Sequence, residues 1–171
     1  MSIFDEFMLA RQLSFNDGSI TLLENRVVIV QAKFFTDYSL AIEGNLDRIS
    51  ELYEISKNSF TEEMGKATGK NFEFNFNDFF KWMTKVAMLA GWGKLTWGDV
   101  YQKNKSGVIF MENSPIAEVL KGKVKSPIDH VIRGFIAGGA SAAFNADIDA
   151  TEEECVALGA QKCKFIFGPA K

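Results

Sequence analysis

The sequence predicts an α+β fold, an antiparallel sheet packed with helices. Three observations carry that prediction. Short apolar and β-branched runs come in pairs joined by polar turns, the way antiparallel strands are connected. Stretches with apolar residues at helical spacing lie between those pairs. The resulting order is strand-strand, helices, strand-strand, helix, strand-strand, which is an α+β order. The 171 residues show no linker, repeat or low-complexity segment. One domain over 1–171 is therefore expected, long enough to bury about two-thirds of its unfolded surface.

Gly18 to Glu24 and Arg26 to Ala32 read as the first strand pair, with Asn25 between them. Val27 to Val30 are all β-branched, and apolar residues on both faces predict a strand buried on both sides. Phe34 to Glu43 reads as a short helix stopped near Gly44. Leu46 to Lys66 reads as a long helix, with Ile49, Leu52, Ile55, Phe60 and Met64 as its apolar stripe and Glu51, Glu54 and Lys57 as its wet face. Asp78 to Ala90 is the next helix, with Asn77 as N-cap. Its stripe is Phe79, Trp82, Met83, Val86, Leu89 and Ala90, and Gly91-Trp92-Gly93 ends it.

Lys94 to Gln102 and Gly107 to Glu112 form the second strand pair, turned through Lys103-Asn104-Lys105-Ser106. Val108 and Phe110 face one way, Ile109 and Met111 the other. Both sets are apolar, so this strand is expected to be central. Ser126 and Pro127 predict the start of a helix running to Phe144, with Ser126 as N-cap, Pro127 at the first helical position and Asp129 where an acid can reach back. Ile128, Val131, Ile132, Phe135 and Ile136 make its apolar side. Gly134, Gly138 and Ala142 make a groove for close approach of another element. Asp147 to Cys155 and Cys163 to Gly168 close the chain as a hairpin turned near Gly159.

Composition excludes several classes. Lys plus Arg number 19 against 22 Asp plus Glu, a net charge of −3, without the basic surplus of a nucleic-acid protein. No apolar run approaches the ~18 residues of a membrane span. The acidic start Met-Ser-Ile-Phe-Asp-Glu-Phe is not a signal peptide, and two cysteines are too few for a disulfide framework. A cytoplasmic protein is expected. Sixteen Phe against three Tyr and three Trp predict rings that are buried, line an apolar cavity or form an interface.

Catalytic motifs are sparse. The one histidine, His130, has no nucleophile elbow to serve. Gly134 to Gly139 is glycine-rich inside a helix, and Gly65 to Lys70 lacks phosphate-loop spacing. The informative constellation is Glu152, Cys155 and Cys163, a carboxylate and two thiols that a strand and its hairpin partner can bring together. The Ser126 helix must return the chain to the sheet at about Asp147, which places the group beside Asp129 and His130. Zinc accepts sulfur and carboxylate ligands together, with Asp129 or His130 as the fourth. Other roles stay open at this level. Asp129 can cap its helix, His130 can pack or lie exposed, and the cysteines can be small buried hydrophobes or a cross-strand disulfide.

Gly134-Phe135-Ile136-Ala137-Gly138, Phe144 and Glu152-x-x-Cys155-x-x-x-Gly159-x-x-x-Cys163-x-Phe165, preceded by Glu112-Asn113-Ser114-Pro115, together resemble the 4-vinyl reductase domain family over about Gly107 to Gly168. The resemblance implies an α+β fold similar to transport-protein-particle (TRAPP) subunits and to ligand-binding domains of aromatic-responsive transcription activators. It implies a small-molecule-binding module, not an enzyme, for a hydrophobic or aromatic ligand, and a homodimer. It also implies a structural zinc held by a Cys at the helix start and then Glu, Cys and Cys. Glu152, Cys155 and Cys163 match the last three. The first position, five before Gly134, is Asp129 here. Expected pocket walls are Phe79, Trp82, Met83, Trp97, Tyr101, Phe110 and Met111. The ATPase and DNA-binding segments of the activators are not matched, so output through a separate effector protein is expected. Two other readings carry different consequences. A TRAPP-like scaffold predicts an exposed apolar patch, and an accessory role in tetrapyrrole metabolism predicts a change in a vinyl-tetrapyrrole.

Overall fold

In the computed structural model, which describes residues 2–69 and 76–171, the chain divides into two units, Met1–Gln31 and Ala32–Lys171. The first begins with α1 (Ile3–Leu9), whose N-terminus is closed by a capping box. The Ser2 side chain accepts from the Asp5 N–H, and the Asp5 carboxylate accepts from the Ser2 N–H. Three short strands follow, β1 (Leu13–Asn16), β2 (Ser19–Leu22) and β3 (Asn25–Val27), as an antiparallel sheet in that order. Neither α1 nor β1 was expected. The strand expected over Arg26 to Ala32 stops at Val27, and Val28 and Ile29 are 76 % and 85 % exposed. The expectation of burial on both sides fails there because β-branched residues make a strand only where a neighbouring strand packs against them.

The second unit holds α2 (Ala32–Ile42), α3 (Leu46–Gly69) and α4 (Phe76–Leu89), then β4 (Lys94–Tyr101), β5 (Ser106–Glu112), α5 (His130–Phe144), β6 (Ile148–Glu154) and β7 (Cys163–Pro169). Helix α4 starts before Asn77, which is therefore inside the helix and not its cap. The Gly65 to Lys70 stretch continues α3 as far as Gly69, and Lys70 lies outside the described residues. The four strands form one antiparallel sheet in the order β4-β5-β7-β6, with β5 central as its two apolar faces required. One face carries buried Leu95, Ile109, Met111, Phe165 and Phe167, which pack with Ile132, Ile136, Ala137 and Ala140 of α5 and with Ile116, Leu120 and Ile128 of the long β5–α5 connection. On the other face Val108 and Phe110 are only half-buried. No helix among the described residues is long and apolar enough to cross a membrane.

Close approach fixes α5 against α3. A Cβ placed on Gly134 would lie 2.5 Å from Ser56 Cβ and 2.7 Å from the Tyr53 carbonyl oxygen, and one on Gly138 would collide with the Lys57 carbonyl. This is the groove that the small residues predicted. From α3, Lys57 pairs with Asp147 and Asp149 at 2.7 Å each. The Tyr53 hydroxyl donates to Asp149 and accepts from the Ala150 N–H of β6, which satisfies a donor on that edge strand.

The start of α5 differs from the expectation. The helix begins at His130, so Ser126 and Pro127 lie outside it. Asp129 stands in the N-cap place, but its side chain makes no capping bond. Its carboxylate is held by residues far away in sequence.

Candidate functional site

Asp129 ends the connection into α5, Glu152 lies on β6, Cys155 follows β6 and Cys163 opens β7. Each offers one ligand atom, and the four atoms lie within 4.8 Å of one another. All four residues are buried, Asp129 and Cys163 completely. Strand geometry explains the convergence. On an unbroken strand, residues three apart face opposite sides of the sheet. The β6–β7 register shifts between Glu152 and Glu154, and the extra residue of such a bulge lets Glu152 and Cys155 face the same way. Gly159 then turns the chain back at φ +100°, after a single 3₁₀ turn, Val156–Leu158. Glycine adopts that conformation without strain.

The donors are positioned by neighbouring polar groups. Ser114 Oγ donates to Asp129 Oδ1 at 2.7 Å, while accepting the N–H groups of Ile116 and Ala117. Cys163 Sγ donates to Asp129 Oδ2 at 3.3 Å and accepts the Val156 N–H. The Asp129 N–H donates to Glu152 Oε2 at 3.0 Å. Glu152 Oε1 is buried with no hydrogen-bond partner.

Burial raises the carboxyl of Asp129 to about 7 and that of Glu152 to about 10, and the charge of the neighbouring cluster members adds to both shifts. Of the thiols, Cys155 is pushed down to about 5 by its hydrogen bond with Cys163, and Cys163 is pushed well up by Cys155 and by burial. Anionic donors this close repel one another unless protons or a cation lie between them. Two thiolates and two carboxylates, shut off from solvent and with one carboxylate oxygen still unpartnered, fit a divalent metal of the zinc type in a closed, four-ligand site.

His130, the alternative fourth ligand, is not among the convergent residues. Its Nε2 is buried without a partner, and burial, together with the nearby Arg133 charge, lowers its pKa to about 4. Arg133 lies over the Tyr53 ring at 4.2 Å.

The seven expected pocket residues separate. Phe79 and Met83 of α4 belong to a second apolar cluster with Met64 and Phe80, and Trp82 and Trp97 pack against it. Trp97 lies 4.0 Å from Phe80 between ring centroids and donates to Thr84 Oγ1. Met111 is buried in the main core instead. Phe110 points to the opposite face of β5 from Met111, because strand side chains alternate. Tyr101 lies past the β4 irregularity between Trp97 and Val100 and is 55 % exposed. An open groove of about 280 Å³, lined by Met88, Gly91, Gly93, Lys94 and Asn113, holds none of the seven. Sequence reasoning gave no role to Phe80 or Ser114. Phe80 had the signal of its aromatic neighbours, and Ser114 had the motif before the connection.

The family model of the 4-vinyl reductase domain matches residues 108–169. No curated protein matches the sequence. Among solved structures, the chain is similar to the phenol-responsive sensory domain of the transcription activator PoxR with phenol, at 20 % identity and a TM-score of 0.79 over 98 % of this chain and 90 % of that one. It is similar to a vinyl-4-reductase family protein from Methanocaldococcus jannaschii, at 23 % identity and 0.59 over 85 % of each chain. It is also similar to a trafficking protein particle complex subunit 3 from Naegleria fowleri covalently bound to palmitic acid, at 11 % identity and 0.57 over 82 % of this chain and 93 % of that one. At these identities the likeness is one of fold, the TRAPP-like α+β architecture. Asp129, Glu152, Cys155 and Cys163 all lie within residues 108–169, the segment that the model of this family matches.

Proposed function

We propose that this chain is a sensing domain for a small hydrophobic or aromatic molecule, and that a structural metal, zinc by its donor set, closes its C-terminal hairpin. The observation that carries the ligand reading is the second apolar cluster. It is built from Phe79, Phe80 and Met83 of α4 with Trp97 of β4, on the fold of a phenol-responsive domain. Ligand sites are lined mostly by apolar side chains with a few polar groups, and Thr84 with the Trp97 indole supplies such groups here. Asp129, Glu152, Cys155 and Cys163 would hold the metal, which supplies charge neutralisation and a cross-link between α5, β6 and β7. No step of ligand recognition needs to pass through it.

Within the first unit, Leu9, Val28 and Ile29 expose large apolar side chains. That supports an interaction surface, for a second copy of the chain or a separate effector. Native mass spectrometry of the freshly purified full chain weighs metal, ligand and copy number together. One zinc per chain and a dimer are expected. A bare monomer whose melting temperature no phenol or alkylbenzene shifts would overturn the reading, and turnover of a vinyl-tetrapyrrole with added reductant would replace it with the catalytic one.

A further inference from the structure

We propose that Cys155 and Cys163 are a reversible dithiol–disulfide pair, so that oxidation empties the metal site. The inference rests on the metal reading of the same residues for its second half, and on strand register for its first. Glu154 stands opposite Lys164. One step further along the same register sets Cys155 opposite Cys163, and the Cys155 backbone is still extended, at φ −131° and ψ 131°. Directly opposite residues of an antiparallel pair have Cα atoms about 4.5–5.5 Å apart, inside the ~4.4–6.8 Å span that a disulfide accepts. Both cysteines are free, and their sulfurs lie within 4.8 Å. Closing the bond therefore needs side-chain rotation and no exchange of strand partners.

Metal and disulfide are then alternative closures of one hairpin. With hydrogen peroxide as oxidant, the two thiolates give up two electrons and form the S–S bond. The O–O bond breaks, and two protons complete two waters. The metal keeps its charge and leaves, since Asp129 and Glu152 alone are half of its donor set. The thiols are 1 % and 0 % exposed, so the closed, loaded site is protected. The reaction runs when the turn at Val156–Leu158 opens or when the site is empty.

The test treats zinc-loaded full chain, and separately the metal-free chain, with hydrogen peroxide. It follows released zinc with a chromogenic chelator, thiols in denaturant and intact mass. Loss of both thiols in step with zinc release is expected, with an intact mass about 2 Da lower, no cross-linked dimer on a non-reducing gel, and reversal by dithiothreitol. The metal-free chain should oxidise faster. Oxygen addition to the thiols, intermolecular cross-links or thiols that persist in the metal-free chain would overturn the pair, whatever the metal does. A chain that forms the disulfide yet never takes up zinc would overturn the metal reading while the pair stands.

Discussion

Glu152 has one oxygen tied to the Asp129 N–H and one buried without a partner. Burial holds its carboxyl up at about 10 and that of Asp129 at about 7, far above the values of an unfolded chain. The sign of the pH dependence follows. In the metal-free protein the fold keeps these groups protonated, and the unfolded chain ionises first. Their contribution to stability is therefore complete below about pH 4 and is lost as pH rises through about 7 and then about 10. His130 acts the other way, but only below about pH 6.5, because its folded pKa is lowered to about 4. The Cys155 thiol, pushed down to about 5, offsets Glu152 between about pH 7 and 9, and Cys163, pushed up, adds to Glu152 above that range. The melting temperature of chelator-treated protein should therefore stay level between about pH 7 and 9 and fall as pH rises above about 9. Glu152→Gln removes the offset, so its melting temperature should rise between about pH 7 and 9, with the metal-free form stabilised near pH 9 by on the order of 1–3 kcal/mol, while zinc uptake is abolished. A Glu152→Gln protein less stable than the parent throughout that range would contradict the assignment. The convergence of Glu152, Cys155 and Cys163 was legible in the sequence because Glu-x-x-Cys and the second Cys lie on one hairpin, while the choice between Asp129 and His130 was not. The part of Ser114 was not, since its bond to Asp129 spans fifteen residues and leaves no local pattern.

At the scale of elements, α3 and α5 meet where two glycines let backbones touch. Gly134→Ala should lower stability by about 1–3 kcal/mol, because the added carbon meets Ser56 and the Tyr53 carbonyl and not the end of a flexible chain. Gly65→Ala is the matched control. Nothing stands within 4 Å of a Cβ there, so it should gain about 0.5–1 kcal/mol from helix propensity. Urea midpoints of the two variants measure both, and equal shifts would contradict the close approach. The glycine groove could be read from sequence because a repeat of four is itself the helical period. The strands from Lys94 to Pro169 were legible to within about two residues for the same reason, alternation over seven or eight positions. Helix α1 and strand β1, of seven and four residues, are too short to show a period. The start of α5 was misplaced because Ser126 and Pro127 have the chemistry of a cap and a first helical residue, yet the helix begins only at His130, after an Asp129 whose side chain Ser114 and Cys163 hold.

For the whole molecule, the metal reading predicts that one bound ion ties α5 to the β6–β7 hairpin. Chelation by a high-affinity chelator near neutral pH should lower the melting temperature, since metal bound to the folded state is folding free energy. Cys155→Ser should reproduce most of that loss and leave little further response to chelator. A melting temperature indifferent to both would contradict a structural metal. The fold class was legible from the order of elements alone. The pocket was not, because side-chain alternation on β5 and the irregularity in β4 send Phe110 and Tyr101 away from the cluster that contains Phe79 and Met83. Ligand binding at that cluster is the central claim, and Trp97, 4.0 Å from Phe80, reports on it directly. Titration of the full chain with phenol and alkylbenzenes, followed by tryptophan fluorescence, should give a saturable change with one site per chain for at least one of them. A linear response with every member, matching that of free tryptophan, would contradict the account.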